Sequence, residues 1–378
     1  MNPRLKQLLA HLADTLDETR EREIAERHER ALRYEPTDRL PVIAAYPPPA
    51  DDPWRSFPHG ETFDDPEKML FNELVGAFDT RLVRRAEVGD DLPAAIRPNF
   101  GTVLVASAFG ARVEWRGDDP PWAMPFATRA ECAAALARGP ASLADGWLPR
   151  VVERYRFYRD ALAQFPPLDR IIALTLPDLQ GPLDTLEMLR GSELYADLAE
   201  EPEQTAQWLA TVARAQVDLA RALWPLVHEP RPGFTHQHGF VVTGNILIRN
   251  DSAIMLSPAM YREQVAPHDE FVLRELGGGS VHSCGNFMHQ IPGLLELPSL
   301  RGLDFGQPRM NDVARACAAA APRRVPLLRV RVTPGELAAP DLRRRFPTGV
   351  SLLLEAGSRD EARDALQSYR MPRRDSMS

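Results

Sequence analysis

Apolar residues recur at roughly helical spacing over residues 5–32, a charged stretch free of glycine and proline. The pattern predicts a helix or helix pair, packed across the main body or against a partner. The short apolar run in DRLPVIAAYPPPADDPW ends in three prolines, as a strand does when it passes into a loop. Residues 66–79 predict another helix, NFGTVLVASAFGARVEW a strand with a glycine-punctuated turn, and residues 147–165 a strongly amphipathic helix. Residues 171–176 have the length of a buried strand, whose end delivers Asp178 and Gln180 into a Pro/Gly-rich loop. A helix over 205–227 precedes HEPRPGFTHQHGF. An apolar run, a polar loop, a helix and a glycine-led short strand then lead to His282.

The alternation continues through residues 303–305, RVPLLRVRV and GVSLLLEAG, with helical segments between most of the short apolar runs. That is a βα pattern with a mostly parallel sheet. Polar residues recur just after the apolar runs: Asp178, Asp251, His282, Cys284 and Glu355. A closed (β/α)8 TIM barrel with extra N-terminal helices explains this best, because its active site forms from loops at the strands' C-terminal ends. A doubly wound open sheet is the alternative. The expected organisation is an N-terminal helical segment over 1–32, a barrel over 33–370 and a tail over 371–378.

Composition narrows the function. Hydrophobic residues make up 44% and charged residues 26%, which suits a soluble chain with a sizeable core. The net charge of −8 argues against nucleic acid as the main partner. No apolar run approaches the length of a membrane span, and the N-terminus lacks a signal-peptide core. Three cysteines make no disulfide framework and fit a reducing cytoplasm, the expected location. Neither a GxGxxG after a strand nor a GxxxxGK[ST] is present, so no nucleotide cofactor is expected.

The candidate chemistry centres on GGGSVHSCGNFMHQ, residues 277–290. His282 and Cys284 lie two apart, so a short extended segment points both to one face. Imidazole and thiolate both suit zinc, although a buried cysteine beside a hydrogen-bonded histidine has the same spacing. Cys132 and Cys317 sit in alanine-rich helical contexts and read as small core residues. Glu355 ends VSLLLE, where a barrel strand would present it as a third ligand. His236 and His238 are alternatives, or with Gln180 and Tyr46 they contact a small-molecule substrate. Asp178 and Asp251 are candidates for substrate binding or acid–base work, or cap the turns that follow.

DRLPV, PDLQGPLDTLEMLRGSELYADLAEEPE, NDSAIMLSPAMYREQVAPHDEFVLRELGG and VHSCGN together resemble the uroporphyrinogen decarboxylase superfamily, in its order and across nearly the whole chain. The resemblance implies a (β/α)8 barrel and one of two chemistries. Its methyltransferases move methyl groups between corrinoid proteins and a thiol or another carrier, using zinc held by His-x-Cys and a later cysteine. That places two ligands on His282 and Cys284 and implies a corrinoid-bearing partner protein. The later cysteine is missing from GVSLLLEAGSRDEARDAL, where Glu355 lies closest to the expected place. Its metal-free decarboxylases resemble one another in an arginine-rich loop after the first strand, but here that region is IAAYPPPADDPW. Arg33, Arg55 and Arg97 are the arginines available to a carboxylated substrate. A non-catalytic binding barrel and a homodimer stand as further alternatives.

Overall fold

The computed structural model describes residues 1–77, 80–140, 142–229 and 231–371. Most of the predicted tail, residues 372–378, and the end of the predicted 66–79 helix, Phe78 and Asp79, lie outside them.

The first charged stretch forms two helices, α1 (Pro3–Thr15) and α2 (Glu18–Leu32). Asp17 separates them by accepting the backbone N–H of Arg20, an N-cap that starts the second helix. Leu5, Leu8, Leu9 and Leu12 of α1 are buried in the same core as the strands. α3 (Pro66–Val75) ends at Gly76, whose φ of 144° few side chains tolerate.

Among the described residues, twelve strands follow the chain. β1 (Val42–Ala45), β2 (Ala95–Ile96), β3 (Arg112–Glu114), β4 (Trp122–Met124) and β5 (Ala173–Leu174) occupy the first half. β6 (Phe234–Gln237), β7 (Phe240–Thr243), β8 (Leu247–Arg249), β9 (Gly279–Ser283), β10 (Leu300–Phe305), β11 (Leu327–Val332) and β12 (Val350–Glu355) occupy the second. Six of them form one parallel sheet in the order β1-β12-β11-β10-β9-β8, and β2 pairs in parallel with β5. The βα reading therefore stands as a mixed α/β fold with a parallel sheet. β12 shows why its strands read as continuous apolar runs: Val350 through Leu354 are all buried, so neither face alternates with solvent.

Among the described residues the ladders do not join into one closed ring. The free edge of β1 is covered by other means: the N–H groups of Val42 and Ala44 donate to the carboxylates of Asp91 and Asp90. Asp91 N–H donates to the Val42 carbonyl. At the other edge, the chain passes so close to β8 that a Cβ on Gly181 would lie 2.1 Å from the Arg249 carbonyl oxygen.

Two expectations change in detail. The run in NFGTVLVASAFGARVEW is mainly a short helix, Leu104–Ala108, with β3 only at its end. All five helical residues are buried, and an unbroken buried run carries no period that separates helix from strand. The predicted strand over 171–176 is reduced to two residues after a helical turn at Leu168–Ile171.

Candidate metal centre and adjoining cavity

The antiparallel hairpin β6–β7 supplies an element the hydrophobic pattern did not reveal. His238 (φ 47°) and Gly239 (φ 73°) form its two-residue turn, both in the left-handed region that such tight hairpins require. Histidine in place of the usual Asn or Asp concealed the signal. The hairpin bridges the two parallel sheets. Gln237 donates to the Leu176 carbonyl, while Thr243 donates to the Arg301 carbonyl of β10. Phe240 lies under the Arg329 guanidinium of β11, 3.9 Å from ring centroid to Cζ.

His282 is carried near the end of β9, with Cys284 just beyond it, and the following glycine turns the chain at φ 73°. Asp251 follows β8, the strand that places Arg249 in register with His282. The candidate ligand atoms of Asp251, His282 and Cys284 all lie within 4.8 Å of one another. His282 Nε2 is 3.5 Å from Cys284 Sγ and 3.6 Å from Asp251 Oδ1. The Cys284 N–H donates to the same Asp251 oxygen at 2.7 Å, tying the carboxylate to the His-x-Cys strand.

The opposite imidazole nitrogen, Nδ1, is 2.5 Å from buried Asp304 at the end of β10. Burial alone would raise the Asp304 pKa, but the Arg329 guanidinium and His282 outweigh it and hold the group below the usual carboxylate range. An ionised Asp304 accepts a proton-bearing Nδ1 and leaves the Nε2 lone pair facing Cys284 and Asp251. This is the orientation in which an outer carboxylate fixes a metal-binding histidine. The N–H groups of Asp251 and Ser252 both donate to buried Asp184 at 2.9 Å, which fixes the loop carrying the third side chain. Burial, then the Asp251 carboxylate, raise the Asp184 pKa.

Zinc suits this set of donors. One nitrogen, one sulfur and one carboxylate oxygen are its usual ligands, and three protein ligands leave a fourth position for a reactant. Space for an ion is kept by Gly306, where a Cβ would stand 2.7 Å from Cys284 Sγ and 3.2 Å from His282 Nε2. Without a cation, burial and then Asp251 push the Cys284 thiol up to about 11, so it stays protonated at neutral pH. A bound dication reverses that preference.

Glu355 does not join this group. Its two carboxylate oxygens pair with Arg331 at 2.6 Å and Arg309 at 2.9 Å. Asp251, expected in an acid–base or substrate role, stands instead among the candidate ligand side chains.

Asp178 anchors a second cluster. Arg249 Nε donates to its Oδ2 at 2.6 Å, and Arg97 Nη1 lies 3.6 Å away. Gln180, held at φ 58°, gives both its N–H and its side-chain amide to Asp178 Oδ1. Gln180 thus positions Asp178. Arg97 also donates to Gln237 at 2.8 Å and to the His238 ring. Burial, then Arg97, drive the His238 pKa well down, so its ring is neutral. Asp178, Arg97, His238 and Arg249 share a cavity of about 460 Å³ with Phe57, Glu73 and Asn99.

His236 lies two residues before His238, within β6, and has different surroundings. It pairs with Glu229 at 2.7 Å and opens toward α2 and Ala94, away from Asp178. Tyr46 is buried beside Asp90, its hydroxyl without a hydrogen-bond partner among the described residues, and does not line the Asp178 cavity. The three arginines expected at a carboxylated substrate do not converge: Arg33 pairs with Glu29, and Arg55 gives its carbonyl to Arg4. Arg97 is joined at Asp178 by Arg249 instead. Arg249, Asp304 and Arg329 belong to the candidate site but are not among the residues singled out from the sequence. Each is a polar residue late in an apolar run, the same signal that singled out His282.

No family model and no curated protein matches this chain.

Proposed function

We propose that the chain is a (β/α)8-barrel enzyme of the uroporphyrinogen decarboxylase type, a zinc-dependent methyltransferase acting on a thiol or similar acceptor. In this reading β1, β2, β5 and β8 through β12 are the eight barrel strands, and the hairpin β6–β7 is an insertion before the fourth. The observation that carries the reading is the convergence of Asp251, His282 and Cys284 with Asp304 behind the histidine. Zinc held there would lower an acceptor thiol's pKa and keep it as a thiolate. The chain's own residues do the rest. Asp304 holds His282 in the required tautomer, Asp184 holds the Asp251 loop, and Gly306 keeps the approach open. A methyl donor carried on a corrinoid protein is the partner this reading requires.

Zinc stoichiometry tests the proposal directly. Purified protein is expected to bind one zinc ion per chain after reconstitution, with H282A, C284A and D251A each losing it. E355A is expected to keep full affinity, because Glu355 is engaged by two arginines. Absence of zinc from wild-type protein after reconstitution would remove the methyltransferase reading.

A second reading, a metal-free decarboxylase, has one observation in its favour: Arg97 and Arg249 both address the cavity beside Asp178. Carboxylate loss catalysed equally well by chelated protein and by C284A would select it.

A further inference from the structure

The Asp178 cavity holds guanidinium donors that are left unused among the described residues. Arg97 is buried and Arg249 nearly so, with 11% of its side chain exposed; both face the Asp178 carboxylate, while Glu73 also acts on Arg97 and Asp251 and Asp304 on Arg249. Arg249 uses only Nε for that contact, and neither of its Nη groups has a hydrogen-bond partner among the described residues. Arg97 Nε is also buried without one. The buried Arg97 donor is costly without an acceptor, whereas the Arg249 Nη groups are not fully withdrawn from water and are free to take one.

The remaining walls limit what that acceptor can be. Glu73 lines the cavity and already accepts from Asn99 at 2.9 Å, and burial raises its pKa. A dianion would meet more repulsion from Glu73, Asp118 and Asp178, which all line the cavity, than a single carboxylate would. A carboxylate's planar pair of oxygens matches the two free Nη groups of one guanidinium. Phe57 and Pro120 provide apolar wall for the body of such a molecule.

We propose that this cavity binds the carboxylate of a monoanionic organic substrate on Arg249, with Arg97 behind it, and that this anchor sets the substrate's orientation. Arg249 stands in register with His282 of the neighbouring strand, so the anchor's strand adjoins the candidate metal ligands, although these do not line the cavity. The anchor stands on the cavity's own geometry. Only the delivery of the molecule's other end to a metal rests on the function proposed above.

Titration of metal-free protein with phenylacetate, phenethylamine and phenethyl alcohol tests the anchor, since the three have similar size and differ in charge. Phenylacetate is expected to bind roughly tenfold or more tightly than the alcohol, the usual scale of a charge-assisted pair, and the amine more weakly than either. R249M is expected to abolish the preference and R249K to retain part of it. Equal binding of acid and alcohol by wild-type protein would overturn the proposal, as would an undiminished preference in folded R249M. Displacement of phenylacetate by millimolar inorganic phosphate would overturn its restriction to a monoanion. The wild-type comparison needs no variant to fold. Because the protein carries no metal in these titrations, a failure to bind zinc in the earlier experiment leaves their outcome unaffected.

Discussion

Asp304 shows how one buried carboxylate serves two neighbours. It receives the Arg329 guanidinium on both oxygens and His282 Nδ1 on one. Replacing it by asparagine keeps the shape, loses the charge and leaves Arg329 without its counterion. D304N is expected to bind zinc about 10–100-fold more weakly, the usual cost of disturbing an outer-shell carboxylate, as read by chelator competition. Unchanged affinity would mean that His282 needs no such support. At this scale the sequence was partly legible. His282 and Cys284 were marked by their spacing, because alternation along a strand is a local property. Asp304 and Arg329 were not, because they reach the histidine only through the pairing of β9, β10 and β11. Glu355 was misjudged for the same reason: its position at a strand end was readable, but the arginines waiting for it were not.

Elements differ in how much of themselves a sequence exposes. The long helices were legible because their buried faces repeat every three to four residues over several turns, whereas β2 and β5 hold two residues each and leave no period to find. The β6–β7 hairpin was hidden by its turn chemistry, yet it connects the two halves of the site. Its tip touches Arg97, and Phe240 supports Arg329, which holds Asp304. F240A is expected to lower stability by about 3–5 kcal/mol, as for other buried aromatic truncations, and also to weaken zinc binding. F71A provides the comparison, since Phe71 is equally buried but lies in α3. A similar fall in melting temperature from both variants, with zinc affinity reduced only in F240A, is the expected result. If F71A weakens zinc as much, the effect of F240A is general loosening.

For the whole molecule, buried acids set the pH dependence of stability. Burial pushes Asp269 up to about 7, against the opposing hydrogen bonds from Tyr261 and Asn250. The folded state therefore holds this proton more tightly than the unfolded chain does. The stabilising contribution is complete below the ordinary carboxylate pKa near 4 and is lost as pH rises through about 7. D269N cannot titrate. Its stability relative to wild type is expected to rise between pH 5 and 8 by on the order of a few kcal/mol, measured by urea unfolding at each pH. A difference that stays constant over this range would show that Asp269 ionises at its ordinary value.

The pairing of β1 with β12 has a consequence for synthesis. The strand at Val42–Ala45 takes its ladder partner from Val350–Glu355, at the far end of the chain. With about 300 residues between them and translation at roughly 5–20 residues per second, this partner emerges about 15–60 seconds later. Throughout that interval the nascent chain presents an apolar strand with one edge unmatched. Ribosome-associated chaperones would find their clearest target there, and slowing translation late in the message would lengthen the exposure.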